Sequence, residues 1–503
     1  MKNKFITLLS HLEKNRTFWT LIGLCVLFFL LRLPSVIEPY WYGDEGIYHV
    51  LGQALNQGQV LYRDIWDNKP PLLYVIYAWA NSDQMTVRFV SLLIGLLSVI
   101  AFFLLSLKLF ASKQITLIIT SMYVLLFATP ILEGNIANAE NFILLPIILA
   151  ALLIYSSHTD HRQIKMTGKV KMIFFLAGLL LGIAFLFKIV AVFDVAAFSL
   201  FLFLLALSKI DRKHFIHALV SIMPLLAGFI LPFLLSMVYF ATQNILGEYM
   251  QSAFSRNVDY VGFENYLFGI PQGLLLLKVL LLAIAITFIV IKRTMFSPKI
   301  LFITLWTITA IFSAFFSGRP YTHYLLMLLP SFCLLVGLAL TKSSKHAYQW
   351  LRIAILGFVT FIIFLFPIYG IDKTLAYYQN TYLFISGQRD LRSYREFFDT
   401  KTPRDYALAS FIKGQAKPND TIFIWGDSAQ IYALSDKLPP YKYTVAYHVI
   451  QSNALLKETQ EAIDTVQPKY IIVLPETQPL PFRVPLYIIR FNVEGAIIYE
   501  RSL

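Results

Sequence analysis

Long apolar runs recur along most of the chain, separated by short polar connectors, and only its last quarter breaks the pattern. A helix needs about 20 apolar residues to cross about 30 Å of hydrocarbon. Measured by that length, the pattern predicts about eleven spans, near 18–37, 86–109, 114–130, 139–156, 170–187, 189–207, 217–240, 271–291, 299–317, 321–340 and 350–370. The fifth and sixth are divided only at Lys188. From about Ile371 the runs shorten. Thr421–Trp425, Tyr470–Leu474 and Pro485–Ile489 read as strands, whereas 403–414 and 454–465 carry helical spacing. The expected fold is a polytopic α-helical membrane module, 1–370, followed by a small α/β domain, 371–503.

Composition agrees with this reading. Charged residues are 14% and hydrophobic residues 57% of the 503 positions, against roughly 25% charged in a globular average. Disordered, fibrous and disulfide-scaffold classes are excluded. The two cysteines, Cys25 and Cys333, each lie in an apolar run where a thiol packs as a small hydrophobe. The formal charge of +13 is largely topological: Lys and Arg gather in alternate connectors (Arg162, Lys165, Lys169 and Lys171; Lys209, Arg212 and Lys213; Lys292, Arg293 and Lys299; Lys342 and Lys345) and at the N-terminus. The positive-inside rule places that side in the cytoplasm. No nucleic-acid partner is implied. An odd number of spans puts loop 38–85, loop 241–270 and the charge-balanced domain from 371 onwards outside the cytoplasm. The first span reads as a retained anchor, since no small-residue cleavage site follows it.

The polar residues that stand out lie near the outer ends of spans. Asp44 and Glu45, beside Tyr40, Trp41 and Tyr42, follow the first span closely. They present either an acid or base at the membrane surface or the N-cap and first-turn charge of a helix carrying Ile47, Val50, Leu51 and Ala54. Lys69 precedes Pro70 and Pro71 and the apolar run from Leu72. It suits a phosphate at a helix start or a lysine snorkelling to the headgroups. Glu140 opens the fourth span, facing either water or a cavity. Lys188 and Asp194 pair with each other or with neighbouring spans, or serve a site. Arg256 is a solvated loop charge or an anion ligand. Arg319, His323 and Tyr324 crowd one short turn, as a headgroup belt or a tightly held polar cluster. Gly426-Asp427-Ser428 after a strand is either a cap or a ligand turn.

Taken together, Gly43-Asp44-Glu45, Asp67-Asn68-Lys69-Pro70-Pro71, Asn138-Ala139-Glu140, Gly182 to Lys188 and His323-Tyr324 ahead of Pro330 resemble, over about residues 15–340, the membrane GT-C glycosyltransferases. The resemblance is to the dolichyl-phosphate-mannose protein mannosyltransferase-like and lipid A aminoarabinose transferase-like group, with a C-terminal domain like those of bacterial members. It implies an enzyme of the plasma membrane that moves a sugar, hexosyl or pentosyl, from a polyprenyl-phosphate donor to an acceptor hydroxyl on protein, lipid or glycan, at the outer face and with inversion. By the same resemblance Asp44 is the general base, Glu45 supports the acceptor or the loop, Lys69 binds the donor phosphate, and Glu140 stands where a second acid is usual. Metal-binding relatives carry Glu before the Lys-Pro pair where this chain has Asn68, so a divalent metal stays an open possibility.

The chemistry is coherent on its own terms. A polyprenyl phosphate leaves as an anion and needs cations around it, for which Lys69, Arg256, Arg319 and His323 are candidates, with Tyr324 beside them. An acceptor hydroxyl is a poor nucleophile and gains from a carboxylate base. The alternative class is a polytopic transporter, flippase or lipid-linked glycan polymerase. A transporter is expected to place ionisable groups near the midplane and to show related halves, whereas here they crowd the outer ends.

Overall fold

In a computed structural model, the structure describes residues 16–157, 166–207, 209, 211–257, 265–267, 270, 272–319, 321–341, 357 and 370–502. Among these, seven helices are long and apolar enough to cross a membrane: Arg16–Ile37, Gln84–Phe110, Ala139–Ser157, Gly168–Phe187, Ile189–Ala206, Arg212–Thr242 and Gly273–Met295. Three shorter apolar helices, Lys113–Ala128, Pro298–Ala314 and Leu329–Leu340, stand where further spans are expected. The chain is a polytopic α-helical integral membrane protein with a small sheet near its C-terminus. The span expected at 350–370 falls almost wholly outside the described residues. The helix expected to open at 321 starts at Leu329 instead. Residues Thr322–Leu326 form a 3₁₀ turn ahead of it, and Pro330 sits in the first turn of the helix, where its missing N–H costs nothing.

The described chain divides into two compact units. The first comprises Met1–Pro34, Val90–Val238 and Val258–Ala376. Three of its helices start at sequence-encoded caps: Ser112, Thr167 and Ser297 each accept a backbone N–H three residues on. The Gly168–Phe187 and Arg212–Thr242 helices meet through glycine. A Cβ on Gly178 would stand 2.1 Å from the Leu225 carbonyl oxygen, and one on Gly228 2.0 Å from that of Phe175. Gly182, one turn on, approaches the Phe229 carbonyl oxygen and Pro232 in the same way. Backbones this close gain dispersion contacts that a larger residue would forbid, which drives association where no hydrophobic effect operates. At Lys188 the helix ends: its backbone is extended, with φ −156° and ψ 129°, and a 3₁₀ turn at Ile189–Ala191 starts the next helix.

The second unit comprises Ser35–Phe89, Tyr239–Asn257 and Tyr377–Leu503. It holds a four-stranded sheet in the order β1 (Ile422–Trp425), β2 (Tyr470–Val473), β4 (Ala496–Arg501), β3 (Tyr487–Val493). β1 and β2 are parallel, with Ile422 opposite Tyr470 and Trp425 opposite Val473, and the other two pairings are antiparallel. Every residue of β1 is buried, as parallel strands covered on both faces require. β3 forms an exposed edge. Helices at Thr402–Gln415 and Asn453–Val466 match the expected spacing, the latter capped by Ser452.

Loop residues of this unit pack directly on its C-terminal segments. A Cβ on Gly46 would lie 2.7 Å from the Gln430 backbone nitrogen. The Gln53 amide donates to the Ala433 carbonyl (3.1 Å), the Tyr40 N–H to the Tyr406 hydroxyl (3.0 Å) and the Trp66 N–H to the Lys442 carbonyl (2.9 Å). Arg88, wholly buried, ties the loop together by pairing with Glu45 and donating to the carbonyls of Ser35 (3.0 Å) and Glu38 (3.1 Å). Tyr377 in turn donates to Glu38.

Candidate functional site

Two polar clusters hold the residues singled out by sequence, one in each unit. In the second unit, Asp44 is not the N-cap of its helix, as one reading of the spacing has it. The helix is Gly43–Asn56 and Tyr42 is its N-cap, so Asp44 and Glu45 both lie in the first turn, where negative charge complements the helix dipole. They then diverge. Glu45 turns inward to Arg88 and is 1% exposed, whereas the Asp44 side chain is 37% exposed.

Asp44 Oδ2 accepts from the Tyr48 hydroxyl at 2.9 Å, one turn on, and from Lys69 Nζ at 3.3 Å. Tyr48 is fully buried, and burial, with Asp44 beside it, pushes its phenol well above the ordinary range, so it stays a donor. Lys69 Nζ also lies 3.8 Å from Asp67 Oδ2 and 4.8 Å from the centre of the Tyr48 ring. The 67–71 segment is held by its own groups. Asp67 accepts from the Asn68 N–H (2.7 Å) and the Tyr74 hydroxyl (2.8 Å), the Lys69 N–H donates to Tyr74 (3.2 Å), and Tyr62 donates to the Lys69 carbonyl (2.7 Å). Pro71 then caps the Leu72–Trp79 helix. Arg256, half-buried, places its guanidinium 4.8 Å above the Trp66 ring, so it is no merely solvated loop charge.

The result is a half-exposed carboxylate and an ammonium in contact, with a second, buried carboxylate behind them. Such a set offers an acceptor for a hydroxyl proton and a cation for an anionic group. Asp67 stands in the same motif, but the sequence carries no mark of its bond to Tyr74. Tyr48 and Tyr74 carried no local signal beyond helical spacing from Asp44 and Asp67.

In the first unit, Glu140 pairs with Lys188 and lies 3.8 Å from His323 Nε2. The His323 Nδ1 faces Glu133 Oε2 at 2.8 Å, and Glu133 also accepts from the Thr322 hydroxyl at 2.6 Å. Lys188 stands 4.4 Å over the Tyr324 ring. Glu140, His323 and Tyr324 are therefore brought together with Lys188, which the sequence also marks, and with Glu133. Arg319 occupies the preceding turn, its N–H donating to Ser317 Oγ at 3.4 Å. Lys188 and Asp194 do not pair with each other: Asp194 accepts from the Trp306 indole at 2.7 Å. Asn138 is 2% exposed, and neither polar atom of its side chain has a hydrogen-bond partner among the described residues.

Among the described residues, no group of three or more His, Cys, Asp and Glu side chains is disposed to hold a metal ion. Asp44 and Asp67 share the Lys69 ammonium instead.

The family model of the dolichyl-phosphate-mannose-protein mannosyltransferases matches residues 65–247. No curated protein matches the sequence. Among solved structures, ArnT from Cupriavidus metallidurans bound to undecaprenyl phosphate is similar over 96% of this chain and 98% of its own, at 11% identity and a TM-score of 0.54. The Archaeoglobus fulgidus oligosaccharyltransferase in its apo form aligns over 92% of this chain and 70% of its own, at 12% identity and a TM-score of 0.49. The likeness to ArnT establishes a shared fold of the GT-C type, as the motifs led one to expect.

Proposed function

We propose that this chain is a membrane glycosyltransferase that transfers a sugar from a polyprenyl-phosphate donor to an acceptor hydroxyl, with inversion, on the extracytoplasmic face of a bacterial-type plasma membrane. The observation that carries the reading is the Asp44–Lys69 contact at 3.3 Å, with Asp44 still open to a substrate. The match over residues 65–247 and the fold shared with an undecaprenyl-phosphate-bound structure support a lipid-linked donor.

In the proposed reaction the acceptor oxygen attacks the anomeric carbon while its proton passes to Asp44. The bond between that carbon and the phosphate oxygen breaks, and the electron pair leaves on polyprenyl phosphate. A phosphate monoester is stable as an anion near neutral pH, so the departing group needs positive charge more than a proton. Lys69 supplies that charge, with Arg256 contributing from its place on Trp66. Tyr48 holds the Asp44 carboxylate in orientation, and Glu45, locked to Arg88, fixes the helix turn that presents it. For the cluster of the first unit, taken by itself, Glu140 is assigned an acid role and His323, Tyr324 and Arg319 the part of phosphate ligands. The acceptor is a hydroxyl of a protein, lipid or glycan.

The test is transfer from a panel of radiolabelled polyprenyl-phosphate hexoses and pentoses in membranes containing the wild type or Lys69→Ala. Label is expected to move from at least one donor, and the variant is expected to lose that transfer with donor binding weakened. Absence of transfer from every donor would refute the reading.

A further inference from the structure

One side chain on the C-terminal segment is placed near the charges of the Asp44 cluster and has no assigned part. β1 ends at Trp425, and Gly426 follows where a Cβ would come within 2.3 Å of the Leu474 side chain. The Gly426 carbonyl accepts from the Ala446 N–H (2.9 Å), and Asp427 Oδ1 from the Tyr447 N–H (3.0 Å). The Gly426-Asp427 turn thus serves to anchor residues 446–449 and to aim His448.

The His448 ring meets the Trp66 indole edge-on, with centroids 4.9 Å apart and planes at 90°. Trp66 is itself pinned, its indole N–H donating to Ser252 Oγ at 2.8 Å, and it immediately precedes Asp67. His448 and the Arg256 guanidinium therefore flank one indole. His448 is 6% exposed, and its buried Nδ1 has no hydrogen-bond partner among the described residues. A buried polar atom without a partner costs stability and is seldom kept without a use. Burial pushes the imidazole down to about 4; Lys69 and Arg256 push the same way, and Asp67 and Asp44 oppose them. The ring is thus neutral at neutral pH, on an indole that the Arg256 guanidinium also covers and that leads directly into Asp67.

Those four charges suit a moving proton and a phosphate. A neutral ring nitrogen near them suits a neutral polar group. We propose that His448 is a substrate-binding residue whose Nδ1 hydrogen-bonds a hydroxyl of the sugar-bearing substrate, so that the C-terminal segment takes part in selecting what is transferred or what receives it. The hydroxyl belongs either to the transferred sugar or to the acceptor, and a site built around such a bond discriminates against ligands that lack the group. This inference rests on the glycosyltransferase reading above.

The experiment uses the full-length protein in lipid nanodiscs as wild type, His448→Phe, which keeps a ring against Trp66, and His448→Asn, which restores a polar atom near the Nδ1 position. Binding of undecaprenyl phosphate and of undecaprenyl-phosphate mannose is measured, together with transfer kinetics using whichever donor the wild type accepts. If the partner is the transferred sugar, His448→Phe weakens the sugar-bearing lipid by about 10- to 100-fold and leaves undecaprenyl phosphate unchanged. If it is the acceptor, both lipids bind normally and the acceptor KM rises by a similar factor. In either case His448→Asn recovers most of the loss. A wild-type that transfers sugar alongside a His448→Phe variant with unchanged binding and kinetics overturns the inference. So does equal weakening of bare undecaprenyl phosphate by both variants, which marks a structural disturbance. A wild type that neither binds nor transfers any sugar-bearing lipid overturns the glycosyltransferase reading, and this inference with it.

Discussion

Asp44 and Glu45 are adjacent in sequence and opposite in fate, and the difference is one of solvent. Glu45 is buried against a buried arginine, so removing either partner leaves an unpaired charge in the interior, at a cost of about 3–5 kcal/mol. Glu45→Gln should therefore lower the thermal midpoint and expression, whereas Asp44→Asn should leave both near wild type; a Glu45→Gln protein as stable as wild type would contradict this account. The two histidines buried in the same unit contribute to its acid response. Burial pushes both His49 and His448 down to about 4, below the ordinary value near 6.5. Folding then favours the neutral rings. The stability they protect is complete above about pH 6.5 and is lost as pH falls toward 4, since the unfolded chain takes up protons first, by up to about 3 kcal/mol for each ring. The thermal midpoint should fall over that window, and His448→Phe should remove part of the fall. A flat profile would contradict the burial assignments. At this scale Asp44, Lys69 and Glu140 were legible because they sit in short motifs at span ends. Glu133 and His448 were not, since their contacts come from far away in sequence, Thr322 and His323 for Glu133 and Trp66 for His448.

Helix and strand placement was legible wherever one period dominated. The apolar runs yielded the spans, and period-two alternation yielded β1 and β2, while β4, Ala496–Arg501, went unread because Glu494 and Gly495 lie just before it and charged residues close it. The glycines needed for close approach carried no local mark either. Gly46 follows the Asp-Glu pair and looks like a loop residue, yet it lies within the Gly43–Asn56 helix, against the Gln430 backbone. Gly46→Ala should displace that helix and reduce transfer at least about tenfold. Gly247→Ala, with nothing within 4 Å of the added carbon, should be neutral. Equal activity in the two variants would argue against the packing of the Asp44 helix on Gln430. In the first unit, Gly228→Leu should prevent the Gly168–Phe187 and Arg212–Thr242 helices from approaching, read as loss of folded protein in detergent; normal recovery would contradict their close contact.

For the whole molecule, composition located the change near Ile371 from membrane runs to an ordinary soluble balance. It was silent about which early segments the later residues pack upon. Segments 35–89 and 239–257 join 377–503 in one unit, a pairing carried by single contacts such as Trp66 to Lys442 and Tyr377 to Glu38. The account as a whole rests on Asp44 as the base of a sugar transfer. The direct test compares wild type with Asp44→Asn, both purified and shown to be folded, for transfer from the donor the wild type accepts. A fall in turnover of about 10²- to 10⁴-fold, with donor affinity retained, is the expected result. Full activity of Asp44→Asn would contradict the assignment.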